Sequence, residues 1–444
     1  MNFLKFGKNN IIAIMQNQTF KYNDLLYIDF FSKRKELIMI LCRNNIEILS
    51  AYISAINSGH AVMLLTNDIN RELLHNIVEQ YKPKWIVGIT EFEGYELKGS
   101  LLTRDEFYEY TIHSDLAVLL STSGTTGSKK FVRLSYMNVQ ANAKSIIQYL
   151  GIDQHERAIM NLPMSYSYGL SIVNSHLLAG ATLILTEESI MEKSFWQLVR
   201  EQEATSLAGV PFTYQMLQRI GFMKMELPHL KTMTQAGGRL NEKLVKAFGE
   251  YAQQNDKRFF VMYGQTEASP RMSYIPHDCL LDKIGSIGIS IPGGELSLDS
   301  ETSELIYKGA NVMMGYAECL EDLAKADEMD GILNTGDIAT VDSDGYFTIT
   351  GRLKRFIKLF GLRINLDEVE KRLETVIHVP IACTGDDNKL IVVLESVKLI
   401  EKVKESIEQY YKLHHTAYKV KILKELPRLA NEKIDYMKLK ELCL

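Results

Sequence analysis

Cysteine is scarce and scattered: the five residues, at 42, 279, 319, 383 and 443, show no CxxC spacing, which excludes a zinc ribbon and a disulfide framework. They read as reduced thiols. Long apolar runs are missing as well; stretches such as LIMILC at 37–42 are far too short to span a bilayer. The opening MNFLKFGKNN lacks the apolar core of a secretion signal. The expectation is a cytoplasmic protein with no membrane insertion. Nor is there an excess of one charge: the formal net charge of −5 gives no reason to expect a nucleic-acid partner, so any basic site must be local. No internal repeat or low-complexity segment interrupts the chain.

At 444 residues the chain exceeds one ordinary core, so two or more domains are expected. Short apolar runs (LIMILC, KWIVGI, LAVLL, ATLIL, KRFFVMYG) alternate with segments of helical periodicity such as NIEILSAYISAINSG and EKLVKAFGEYAQQ. That alternation predicts an α/β fold in which strands cross over through helices. Near residue 330 the texture changes to DGIL, TGD and VDSDGYFTITGR, which predict hairpins on Asp-Gly turns and a β-rich closing piece. Beyond Gly351-Arg352, strand-like and helix-like segments predict a small α+β unit. The expected division is a large N-terminal domain of layered α/β subdomains at 1–351 and a small C-terminal domain at 352–444.

Residues 119–133, LLSTSGTTGSKKFVR, suit an anion. Gly124 and Gly127 let backbone N–H groups approach phosphate oxygens, Thr122, Ser123, Thr125 and Thr126 add hydroxyls, and Lys129 and Lys130 add charge. The Walker pattern GxxxxGK[ST] does not fit, because Lys129 stands where the second glycine belongs and Phe131 where the hydroxyl belongs. Alone, such a segment is equally an ordinary polar turn. Four further segments accompany it. Tyr263-Gly264-Gln265-Thr266-Glu267 follows an apolar run, where α/β folds place ligands, and offers a hydroxyl and a carboxylate to a magnesium–phosphate group. Asn334-Thr335-Gly336-Asp337 offers a carboxylate to ribose hydroxyls. Gly351-Arg352-Leu353-Lys354-Arg355-Phe356-Ile357-Lys358 holds four cations, of which Arg352 reaches a ribose or phosphate and others are merely exposed. Asn431-Glu432-Lys433 places a lysine near the end of the chain. Each has a bland reading as a turn or a solvated surface residue.

In this order, the segments resemble the adenylate-forming superfamily of acyl- and aryl-CoA synthetases, nonribosomal peptide adenylation domains and firefly luciferase. STSGTTGSKK resembles its phosphate loop, Ala236-Gly237-Gly238-Arg239-Leu240 its adenine-side segment and YGQTE its adenine and magnesium motif. NTGD resembles its ribose motif, GRLKRFIKLFGLRINLDEVE its hinge segment, and LPRLANEKIDYMKL the segment with the catalytic lysine. The resemblance implies an AMP-forming acid–thiol ligase with ATP and Mg²⁺ as cofactors. A carboxylate attacks the α-phosphate, pyrophosphate leaves, and the acyl group passes to the phosphopantetheine thiol of CoA or of an acyl or peptidyl carrier protein.

Carried over residue by residue, Thr122, Ser123, Gly124, Thr125, Thr126, Gly127 and Lys130 bind the β- and γ-phosphates. Thr266 touches the α-phosphate and Glu267 holds Mg²⁺. Asp337 and Arg352 hold the ribose; Tyr263 and the Gly237-Gly238 backbone sandwich adenine, with Arg239, Gly264 and Gln265 beside them. Lys433 bridges the attacking carboxylate and the α-phosphate, Lys354 is the hinge of a mobile C-terminal domain, and Gly361 lines the thiol tunnel. Two positions depart from the family pattern: Lys129-Lys130-Phe131 replaces Pro-Lys-Gly, and Glu432 replaces a glycine before Lys433.

The acyl pocket is expected from NLPMSYSYGLS at 161–171, which lacks the aspartate that pairs with an α-ammonium in amino-acid-activating relatives. Tyr166, Ser167, Tyr168 and Gly169, with Gly209 and Phe212 on the far side, predict a neutral, hydroxyl-bearing pocket for a small, fatty or hydroxylated acid. An amino-acid or aryl-acid adenylation enzyme and a non-catalytic nucleotide-binding relative are the alternatives; retention of Glu267 and Lys433 argues against the last.

Overall fold

The computed structural model describes residues 10–16, 18–25, 28, 30, 32–104, 110–121, 130–353, 355–359, 362–386, 388–411, 413–429 and 433–443. Contacts divide the chain into two compact units, one of residues 1–296 and 307–333, the other of 297–306 and 334–444. The strands that bear Asp337 and Arg352 thus cluster with the C-terminal residues.

Two large sheets build the first unit. In a sheet of nine described strands, Arg157–Met160, Ser206–Gly209, Thr232–Gln235 and Arg258–Gly264 run parallel, and Arg271–Tyr274 adds antiparallel to the last. In a sheet of eight described strands, Leu37–Cys42, Ala61–Thr66 and Leu116–Ser121 are parallel, and Phe131–Ser135 returns antiparallel. LIMILC is buried at every position, as expected of a parallel strand covered on both faces. One core joins residues of both sheets with the helices Ile46–Asn57, Tyr136–Leu150 and Ser167–Ala179. The last of these is buried at all thirteen positions, which is why its sequence is mostly apolar or small and its polar Asn174 and His176 are hydrogen-bonded. Asn45 and Ser135 cap the first two by accepting from Ile48 N and Asn138 N, so the chain leaves each strand into a helix with its end satisfied.

In the second unit the expected Asp-Gly hairpin is present. Phe347–Arg352 pairs antiparallel with Ile332–Val341, and the Asp342 carboxylate accepts from Asp344 N and Tyr346 N to hold the turn. Downstream, Ala382–Asp386, Lys389–Leu394 and Tyr418–Ile422 form a three-stranded sheet that shares a core with Leu366–Ile377 and Ile400–Tyr411. The mixed α/β architecture and the layered N-terminal part agree with the sequence. Among the described residues, no helix is long and apolar enough to cross a membrane.

Candidate active site

The strands on either side of the glycine and hydroxyl-rich loop are an antiparallel pair, with Ser121 opposite Phe131. Thr122, Ser123, Gly124, Thr125, Thr126, Gly127 and Lys129 lie outside the described residues. Lys130 is described: its Nζ lies 3.8 Å from the centre of the Tyr316 ring and 3.5 Å from Glu318 Oε1. Tyr316 sits opposite Val132 on a neighbouring strand and donates from its hydroxyl to Glu267 Oε1 at 3.0 Å. Burial and the Glu267 charge push the Tyr316 hydroxyl well above the ordinary phenol range, so it remains a protonated donor. Lys130 and Glu267, 137 residues apart in sequence (267 − 130), thus meet on the two sides of one tyrosine.

Glu267 follows the strand Arg258–Gly264, in a single 3₁₀ turn at Thr266–Ala268. A Cβ at Gly264 would run into the Pro270 carbonyl, so glycine is required for the chain to double back into Arg271–Tyr274. Gln265 Nε2 donates to the Tyr263 hydroxyl at 3.3 Å, and Thr266 Oγ1 lies 3.2 Å from Ser167 Oγ. Gly237 has φ +86°, and a Cβ there would strike the Tyr166 hydroxyl. Tyr166 is therefore laid on the backbone of the expected adenine-side segment. Gln235 Nε2 holds that segment by donating to Gly238 O at 2.8 Å, while Arg239 forms a half-exposed ion pair with Glu242. Tyr166, Ser167, Gly237 and Thr266 are thus brought together.

Behind them lies a small cavity of about 40 Å³, bounded by the buried helix and the nine-stranded sheet. Tyr168, Thr234, Ala208, Met262, His176 and Arg271 are among its walls. Of the expected acyl-pocket residues, Tyr168 lines it, whereas Tyr166 and Ser167 stand outside its walls. Gly169 packs on the Pro163 carbonyl, Gly209 on Thr213 and Tyr214, and Phe212 against the core. Arg271, only 3% exposed, puts a guanidinium in the wall of this cavity, 4.0 Å from the Tyr168 ring centre. Sequence reasoning missed it; its position four residues after Glu267 was the available signal. His176 adds an acceptor: Nδ1 lies 2.8 Å from Ile172 O and so carries the proton, and buried Nε2 has no partner among the described residues. Burial lowers its pKa to about 4, so the ring is neutral.

In the second unit, Asp337 and Arg352 are register partners, and Arg352 Nε donates to buried Asp337 Oδ1 at 2.9 Å. Thr335 and Glu304 hold the preceding turn by bonding Leu305 O and Gly336 N. Arg355 was expected to be merely exposed, and it is not. Its guanidinium is shared by Asp367 and Glu370, donates to Cys383 O at 2.8 Å and stacks 3.8 Å from the Tyr436 ring centre. Lys433 belongs to this unit, and its carbonyl accepts from Leu429 N at 2.8 Å. Lys354 and Gly361 lie outside the described residues.

The chain is similar to known proteins. The chain is 30% identical over 298 residues to feruloyl-CoA synthase of an Amycolatopsis species, covering 63% of this chain and 60% of that one. It is 27% identical over 336 residues to 2-succinylbenzoate–CoA ligase of Listeria innocua, covering 74% and 70%. The chain thus matches about 60% of the length of relatives such as the feruloyl-CoA synthase. The structure of O-succinylbenzoate coenzyme A synthetase from Bacillus subtilis, in complex with AMP, superposes with a TM-score of 0.80 over 99% of this chain and 97% of that one. At 22% identity this likeness shows a shared fold. The sequence model of the AMP-binding enzyme family matches residues 32–317, which hold the glycine and hydroxyl-rich loop, the segment 161–171 and the Thr266-Glu267 turn, and the chain belongs to that family.

Proposed function

We propose that the protein is an ATP-dependent, AMP-forming acid–thiol ligase. The observation that carries this reading is the convergence of Tyr166, Ser167 and Thr266 at the Gly237 backbone, beside a cavity walled by Tyr168 and Arg271. Relatives named as feruloyl-CoA synthase and 2-succinylbenzoate–CoA ligase support it. The carboxylate enters from the cavity and meets the α-phosphate at Thr266. Lys130 and the 122–127 loop bind the β- and γ-phosphates, and Tyr263 with Gly237 and Gly238 binds adenine, alongside Arg239, Gly264 and Gln265. Asp337 and Arg352 take the ribose, and Lys433 draws the two anions together.

Glu267 fits a magnesium ion: Tyr316 takes one carboxylate oxygen and no described residue takes the other. Among the described residues no three His, Cys, Asp or Glu side chains cluster as a cage, so nucleotide oxygens and water would complete the coordination. When bound, the ion neutralises phosphate charge. The acyl group then passes to CoA, the acceptor named for the relatives, or to a carrier protein with the same thiol arm. The proposed division of labour keeps nucleotide and acyl pockets in residues 1–351, while 352–444 turns on Lys354 to exchange Lys433 for the thiol tunnel at Gly361. The cytoplasm, which supplies ATP and CoA, is the proposed setting.

The first test is ATP–pyrophosphate exchange across fatty, hydroxy, aryl, amino and dicarboxylic acids. Exchange with at least one acid is expected; ATP binding without exchange for any would refute the ligase reading. Lys433→Ala is expected to abolish exchange while leaving thiol transfer from a synthetic adenylate largely intact. Equal loss of both half-reactions would overturn the assigned role.

A further inference from the structure

Among the described residues Arg271, held in the cavity wall, has no counter-charge. No described carboxylate ion-pairs it, its Nε is buried with no hydrogen-bond partner, and the residue is 3% exposed. Its compensation comes from neutral groups: the Tyr168 ring face at 4.0 Å and the nearby hydroxyls of Tyr149 and Tyr168. A lysine or histidine so placed escapes the cost of burial by losing its proton; a guanidinium does not. A lone buried cation costs several kcal/mol unless an anion joins it.

The other ionisable groups of the wall are already engaged or neutral. Arg258 donates to Leu150 O at 2.8 Å and Thr232 Oγ1 at 2.7 Å and faces Glu156 at 3.7 Å. Glu156 also accepts from the Thr205 hydroxyl. His176 is neutral. Unused capacity for an anion therefore resides in Arg271.

Its direction matters too. Ser167 turns toward Thr266, whereas Tyr168 turns inward to Thr234 at 2.7 Å and carries the guanidinium on its ring. The cation thus faces the cavity on the Tyr168 side, not the reacting end at Thr266.

We propose that the acid activated by this enzyme carries a second anionic group, most simply a second carboxylate, and that Arg271 binds it. This rests on the ligase reading and on the cavity as its acyl pocket. Planar guanidinium and carboxylate match in a two-pronged contact, which makes Arg271 a determinant of specificity.

The test compares matched pairs on the full chain: succinate with butyrate, adipate with hexanoate, and phthalate with benzoate. Pyrophosphate exchange is expected to favour at least one diacid over its monoacid partner by about tenfold or more. In Arg271→Met that ratio is expected to fall toward one through loss of the diacid rate, with Arg271→Lys intermediate. A wild-type preference for the monoacid of every pair would overturn the proposal. So would an equal loss on both acids of a pair in the variants, which would place Arg271 at the reacting carboxylate or in the scaffold. Thermal stabilisation by the same acids, read without ATP, separates this from failure of the ligase reading. Diacids alone should raise the melting temperature of wild type but not of Arg271→Met, and absence of that difference would sink the proposal even if no acid is adenylated.

Discussion

Two fully buried arginines in the first unit are solvated by opposite means. Arg133, on the strand that follows the glycine and hydroxyl-rich loop, donates to the carbonyls of Tyr316, Lys325, Met314 and Ala326 and ion-pairs with Glu328. Arg271 has a ring face, two tyrosine hydroxyls and an unpartnered Nε. Arg133 ties the strand Gly315–Ala317 and its flanking loop to the sheet, so its charge is consumed by the fold. The charge of Arg271 is left over. A saturated buried cation marks scaffold, and an unsaturated one facing a cavity marks a ligand.

Stability measurements should break this contrast if it is wrong. Arg133→Met leaves four carbonyls and the Glu328 carboxylate without their donor, and is expected to lower the unfolding free energy by about 3–5 kcal/mol, read from the urea midpoint. Acidification adds a second charge to the Arg271 cavity. Because folded His176 titrates near 4 and an unfolded histidine near 6.5, the unfolded chain takes up the proton first. Stability from this site is therefore present above about pH 6.5 and drains away as pH falls toward 4, by about 1–3 kcal/mol. His176→Asn should flatten that part of the urea-midpoint profile against pH. Smallest is Arg271→Met, expected to unfold within about 1 kcal/mol of wild type or later, since a packed thioether replaces an uncompensated charge. A loss as large as that for Arg133→Met would make Arg271 scaffold.

The strands were legible because parallel strands buried on both faces need uninterrupted apolar runs; LIMILC coincides with Leu37–Cys42 and LAVLL begins Leu116–Ser121. The helices Glu242–Gln254 and Leu366–Ile377 were legible from periodicity. The meeting of Lys130 with Glu267 across Tyr316 was not, because it joins strands far apart in sequence. Nor were the surroundings of two arginines. Arg355 sits in a basic run that looks solvated until Glu370 and Tyr436 fold over it, and Arg271 looks like any surface arginine until the tyrosines close around it. Burial of one charge depends on residues that local pattern does not connect.

The helix Ser167–Ala179, enclosed at every position, gives the cavity walls unequal evolvability. Any change of volume on the helix side disturbs both sheets at once and needs compensating substitutions elsewhere. On the strand Arg271–Tyr274, added antiparallel after the parallel strands end, the side chain at 271 meets the Tyr168 ring face and no described carboxylate, so changing it strands no charged partner. New ligand preferences in the cavity should therefore arise by single steps at position 271, while the helix drifts slowly, which makes that strand the place to start a redesign.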